Sequence, residues 1–112
     1  MFYKRSENGY RQVLDGIRLK TLVSGEKTLL TEFDLRKGSL LPRHAHPYEQ
    51  TGYLVSGRIR LFVGERVWDA GAGDSWSIPA NVAHRAEILA DSVAIEVFAP
   101  IREDYLPAAG DE

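Results

Sequence analysis

The amino-acid sequence predicts an all-β domain of antiparallel architecture. Apolar and polar residues alternate with a period of two over short stretches, as a half-buried strand requires. Turn signals separate these stretches at strand-length intervals. No segment longer than two turns holds an i, i+3, i+4, i+7 apolar pattern, so helix is marginal. A chain of 112 residues has room for a single domain over 1–112 and for no second core.

Taken in order, residues 1 to about 16 show the weakest pattern. After the turn at Ser24-Gly25, Leu29, Thr31, Phe33 and Leu35 share one face, with Glu32 and Asp34 on the other. Lys37-Gly38 and Ser56-Gly57 mark further turns. Ile59, Leu61 and Val63 then alternate with Arg58, Arg60 and Phe62. Gly64-Glu65, Gly71-Ala72-Gly73-Asp74 and Ala90-Asp91 punctuate the next stretches. Val93, Ile95 and Val97 alternate with Ala94, Glu96 and Phe98. Arg102 to Tyr105 forms one terminal turn, and the small, acidic end over 107–112 is expected to fray. Eight or nine short strands at this spacing predict a sandwich or barrel.

Composition narrows the function. Fourteen basic and sixteen acidic side chains leave a net charge of −2, which supplies no general field for phosphate backbones or anionic lipid. Arg58, Arg60 and Arg66 cluster in one hairpin, where a solvated edge that discourages strand addition explains them better than a nucleic-acid site. Without cysteine there is no disulfide framework, thiolate metal site or cysteine nucleophile. No strictly apolar run exceeds three residues, and Met1 to Glu7 lacks the apolar stretch of a signal peptide. A cytoplasmic protein with no nucleic-acid or membrane partner is expected. Trp68 and Trp76 read most simply as core or interface, although Trp76, with Arg60 and Tyr53, is also a possible pocket liner.

The three histidines carry the chemistry. His44 and His46 are two apart; on a strand, residues i and i+2 point to the same face, so two imidazoles can converge on one ion. Alone, such a pair is equally at home on a surface loop. The punctuation around it is more specific. Gly38 precedes His44 by six residues, Gln50 follows His46 by four, and Gly57 follows Gln50 by seven. A second block runs from Gly73 through Pro79-Ala80-Asn81 to His84. These two blocks resemble the conserved motifs of the cupin family. Gln50 stands where most cupins have glutamate, Asn81 replaces a glycine, and Ile88 replaces a trailing asparagine. Asparagine also tolerates positive φ, which makes that exchange mild.

The resemblance implies a double-stranded β-helix, or jelly-roll barrel, over about 25–100. It also implies one divalent metal ion (Zn, Ni, Mn or Fe) held by His44, His46, Gln50 and His84. Glu49 is the rival to Gln50, because Pro47 can upset the strand alternation. Three imidazoles and an amide are all neutral, so the ion's charge stays uncompensated and favours an anionic small-molecule substrate. Small cupins of this kind imply a homodimer, with the segment 1–24 in the contacts between copies.

Residues 44–57 and 91–106 further resemble the small cupins known as pectin degradation proteins. Those proteins open 4,5-unsaturated uronate monosaccharides to keto acids. Their acidic residue, phenylalanine and arginine beyond the last metal histidine fall on Glu96, Phe98 and Arg102, with glutamate here for the usual aspartate. On its own merits, Glu96 is a carboxylate among apolar neighbours, and burial would raise its pKa toward proton transfer. The expected function is a metal-dependent sugar-acid enzyme. A cupin oxygenase and a non-catalytic sugar-binding cupin are the two alternatives.

Overall fold

The computed structural model describes residues 1–106, so the expected frayed tail lies outside the described residues. The described residues form eight strands: β1 Arg11–Leu14, β2 Ile17–Ser24, β3 Leu29–Leu35, β4 Leu40–His44, β5 Glu49–Val63, β6 Arg66–Gly71, β7 Ser75–Ile78 and β8 His84–Ala99. A 3₁₀ turn, η1, follows at Glu103–Tyr105. Among the described residues no helix is long and apolar enough to cross a membrane.

Two of these strands are not short. β5 has 15 residues and β8 has 16, and they pair antiparallel along their whole length, from Glu49↔Ala99 to Val63↔His84. The expected reversals at Ser56-Gly57 and Ala90-Asp91 are bends inside these strands instead. The register shifts three times between Leu54 and Ile59, which marks bulges rather than turns. Gly57 sits there at φ +95°, packed against Ser92. The Ser92 hydroxyl accepts from the Arg58 N–H at 3.0 Å and donates to Ala90 O at 2.7 Å, satisfying groups the bulge frees from the ladder.

The bend divides each long strand between two layers. The first half of β5 and the second half of β8 join β3, β2, β1 and β7. The second half of β5 and the first half of β8 join β6 and β4. This is the jelly-roll arrangement, antiparallel throughout. The layers enclose one core that includes Leu29, Phe33, Leu54, Ile59, Ile78 and Phe98. Ile17 and Leu19 of β2 are also core, so the barrel begins at β2, ahead of residue 25. Trp68, on the outward side of β6, is 47% exposed and belongs to no core.

On β8 the more apolar set does not face inward. Ala94, Glu96 and Phe98 are buried, while Val93, Ile95 and Val97 lie half-buried on the outer face. The bend should therefore be the costly place to add an atom. A Cβ at Gly57 would lie 2.6 Å from Ser92 Cα and closer still to Asp91 O. At Gly38, φ +86°, a Cβ would meet nothing within 4 Å. In urea unfolding, Gly57→Ala is expected to cost about 3 kcal/mol from overpacking and positive φ together, and Gly38→Ala about 1 kcal/mol from φ alone. Equal losses would mean that the bend does not depend on Gly57.

Candidate metal centre

The three histidines reach one point from different places in the chain. His44 ends β4 and pairs directly across from His84, the first residue of β8. His46 is not on the strand, as the i, i+2 reading expected; β4 stops at His44, and His46 lies in the loop before β5. That loop is tied down by the Asn81 N–H, which donates to His46 O at 2.8 Å. Asn81 takes φ +68°, the conformation a glycine would otherwise supply. The ring centroids stand 4.2 Å apart for His44–His84, 4.9 Å for His46–His84 and 5.5 Å for His44–His46.

Each imidazole is held in the same way. Nδ1 of His44, His46 and His84 lies 2.8, 3.1 and 2.9 Å from the carbonyl oxygens of Pro42, Tyr48 and Val82. A carbonyl only accepts, so each Nδ1 carries a proton, and in the neutral ring each Nε2 presents a bare lone pair. The ligating nitrogens of the three rings lie within 4.8 Å of one another, a group able to hold one metal ion.

Two further observations fit an ion. His84 Nε2 is buried and has no hydrogen-bond partner among the described residues. His46 Nε2 faces Gln50 Oε1 at 3.0 Å, so two acceptors meet without a proton between them. A cation answers both, since it takes lone pairs from nitrogen and amide oxygen alike. Burial lowers the His84 pKa to about 4, helped by the positive charges His44, His46 and Arg102 can carry. Burial also lowers that of His46, with Arg102 adding to it. Both rings therefore stay neutral at neutral pH, the form a metal requires.

Gln50 is buried in the interior and Glu49 faces outward, exposed. The Gln50 amide has two ends with different partners. Its oxygen points toward His46, while its Nε2 donates to Glu96 Oε2. Trp76 Nε1 donates to the other carboxylate oxygen, Oε1, at 2.9 Å. Glu96 is thus inside the barrel, among buried residues, and burial lifts its pKa to about 8 against the opposing pull of the Trp76 N–H. Glutamine rather than glutamate at position 50 follows from this contact. A second carboxylate there would meet Glu96 in the interior, where two like charges are costly.

Phe98, 1% exposed, packs edge-on to His46 at 5.9 Å and to Tyr105 at 5.3 Å. The Arg102 guanidinium lies among three aromatic rings: Tyr105 at 3.9 Å, Phe98 at 5.2 Å and Tyr48 at 5.5 Å. Its side chain is 14% exposed. Only Nε is bonded, to Asp104 at 3.1 and 3.2 Å, and both terminal nitrogens are without a partner among the described residues. A cavity of about 60 Å³ between the layers is walled by His44, Gln50, His84, Glu96, Arg102 and Tyr105.

All seven sequence-derived positions therefore lie around one cavity or against a residue that lines it. The sequence alone does not point to Tyr48 or Tyr105, because an aromatic residue in a loop or a single turn carries no periodic pattern. Of the three possible liners, Trp76 faces the cavity, Tyr53 is exposed and Arg60 pairs with Asp69 at 2.8 Å on the surface.

The buried ionisable groups make metal-free stability depend on pH in a resolvable way. Glu96 has a folded pKa near 8 and an ordinary value of 4.5, so the native state binds the extra proton between them and stability falls as pH rises through 8. His84, near 4 when folded and 6.5 ordinarily, acts in the other direction, and stability falls as pH drops from 6.5 toward 4. Above pH 6.5 only Glu96 acts among these groups. Urea titrations in chelator should show stability declining from pH 6.5 to 8, by at most about 1.4 kcal/mol per unit for one proton. Glu96→Gln should flatten that decline; an unchanged slope would show that Glu96 is not buried as the carboxylic acid.

Similarity to known proteins bears on the fold and family. A family model described as a cupin domain matches residues 31–99. KdgF from Halomonas sp. superposes with a TM-score of 0.89 at 26% identity, covering 95% of this chain and 100% of that one. An RmlC-like cupin from Shewanella frigidimarina gives 0.88 at 26% identity, covering 94% and 95%. The polyketide cyclase RemF from Streptomyces resistomycificus, at 22% identity, a TM-score of 0.68 and coverage of 86% and 70%, shares the fold. No curated protein sequence matches the chain. With both histidine-bearing blocks in place on a jelly-roll barrel, the chain belongs to the cupin family and resembles KdgF in structure.

Proposed function

We propose that this cupin is a metal-dependent enzyme that opens 4,5-unsaturated uronate monosaccharides to their keto acids. The observation that carries the reading is the position of Glu96. A buried carboxyl group with raised proton affinity lies one amide away from the histidine cluster and shares its cavity with an arginine whose terminal nitrogens have no partner among the described residues. The likeness to KdgF supports the same reading.

The reaction is an isomerisation without redox change. The hemiacetal hydroxyl loses its proton as the C1 carbonyl forms, the bond from C1 to the ring oxygen breaks, and the released enolate takes a proton on C4 to become the C5 ketone. Arg102 grips the substrate carboxylate with its two terminal nitrogens, the planar fork that matches a carboxylate bidentately. Phe98 packs against the sugar. Glu96 moves the proton, suited to the task by a pKa near the working pH. His44, His46, Gln50 and His84 are the ligands of a divalent ion, which when bound supplies Lewis-acid stabilisation for negative charge developing on oxygen.

The test follows the ultraviolet absorbance of 4,5-unsaturated galacturonate, which disappears when the conjugated double bond is lost. Metal-loaded protein should act well above the spontaneous rate and chelated protein should not. Glu96→Gln should keep the metal and lose about 10²- to 10⁴-fold in kcat. Arg102→Met should lose about 10- to 100-fold in kcat/KM, the worth of one charge-assisted contact. Fully metal-loaded wild-type protein without acceleration would remove this substrate. Tight binding of the sugar acid without turnover would instead assign the pocket to recognition.

A further inference from the structure

Glu96 is clamped from two sides by residues of different strands. Gln50 on β5 donates to Oε2, and Trp76 on β7 donates to Oε1 at 2.9 Å. An amide NH₂ and an indole N–H are donors only, so neither can exchange roles with the carboxylate. Gly52 of β5 pairs with Trp76 on one side and with Glu96 on the other. Its missing side chain is what admits this arrangement. A Cβ at position 52 would lie 2.5 Å from Glu96 Oε1 and nearer still to Trp76 Nε1 and Cε2. The backbone of Gly52 is ordinary, without positive φ, so the glycine is not required for conformation. It is required for space.

We infer that Trp76 is the positioning residue of this site: its indole N–H fixes Glu96 Oε1, and Gly52 vacates the volume that the indole and the carboxylate share. Trp76 touches neither a histidine of the cluster nor the Gln50 amide in the hydrogen-bond network, so its part is to hold Glu96 and not the ion. Glu96 then has one orientation, and the carboxylate oxygens keep further lone pairs for the proton they handle. The inference rests on the reading of Glu96 as the proton-moving group, but the contact itself can be tested without turnover.

The first test uses the two indole N–H protons of wild-type protein, observed by nuclear magnetic resonance with zinc added. Trp68 is exposed and its indole proton should exchange quickly with water; that of Trp76 should exchange slowly, and should speed up in Glu96→Ala. Equal, fast exchange of both would overturn the inference, whatever the enzyme acts on. The second test compares variants in the uronate assay. Trp76→Phe should lower kcat about 10- to 100-fold, the cost of a misplaced catalytic group, while zinc affinity measured by calorimetry stays within about twofold. Gly52→Ala should lower kcat similarly, and the double variant should lose no more than the worse single one, because both act through the same carboxylate. Unchanged kcat in Trp76→Phe, a parallel fall in zinc affinity, or additive losses in the double variant would each overturn it. If wild-type protein shows no turnover, the proposed reaction fails, and the exchange experiment still decides the contact.

Discussion

The site depends on the continuous pairing of β5 with β8. Gln50 and Gly52 lie on one strand of that ladder, His84, Glu96 and Phe98 on the other, and Arg102 follows directly from its end. His44 enters by pairing with His84 on β4, and Trp76 by pairing with Gly52 on β7. A register slip of one residue in this ladder would turn Glu96 and Phe98 outward and bring Ile95 and Val97 into the cavity. The bulges at Leu54–Ile59 and the close packing of Gly57 on Ser92 are what let one ladder serve both layers. They are features of the site as much as of the fold.

Within that frame the chemistry comes from placing groups where they are ill at ease alone. His84 holds an unpartnered lone pair in the interior, and His46 faces an oxygen it cannot donate to. Both costs fall when a cation binds, so part of the binding energy is the relief of these unsatisfied groups. Glu96 is buried and held by two donors that favour its charge, while burial favours its proton. Opposed effects of this kind bring a carboxyl group into the range where it can both take and give a proton at neutral pH. Arg102 is stabilised on three aromatic faces, and its terminal nitrogens have no partner among the described residues.

Sequence periodicity and tertiary packing each decided different parts of this arrangement. The all-β class and most turn positions were legible because they rest on local chemistry. Alternation needs only neighbouring residues, and a positive-φ turn needs glycine or asparagine, whereas the ligand set comes only from the resemblance of the two histidine-bearing blocks to cupin motifs. Asn81 shows the rule working: the expected tolerance of positive φ is what the structure uses. Where the local signal was ambiguous, the expectation failed in a specific way. Ser56-Gly57 and Ala90-Asp91 have turn composition, yet a β-bulge uses the same residues as a reversal, and only pairing with a distant strand distinguishes them.

The sequence by itself determined that Glu96 and Phe98 share a face, that Gln50 follows His46 by four residues, and that the chain has strands enough for a barrel. Tertiary structure alone decided which face is inward. On β8 the valines and isoleucine take the outer side and the carboxylate takes the inner one, against the simplest hydrophobic reading. It also decided that His46 joins the histidine cluster from a loop, that Tyr48 and Tyr105 surround Arg102, and that Trp76 fills the space left at Gly52. The physical reason is the same in each case. Strand parity is a property of neighbours along the chain, whereas the face that is buried, and the groups that meet there, depend on contacts between residues far apart in sequence.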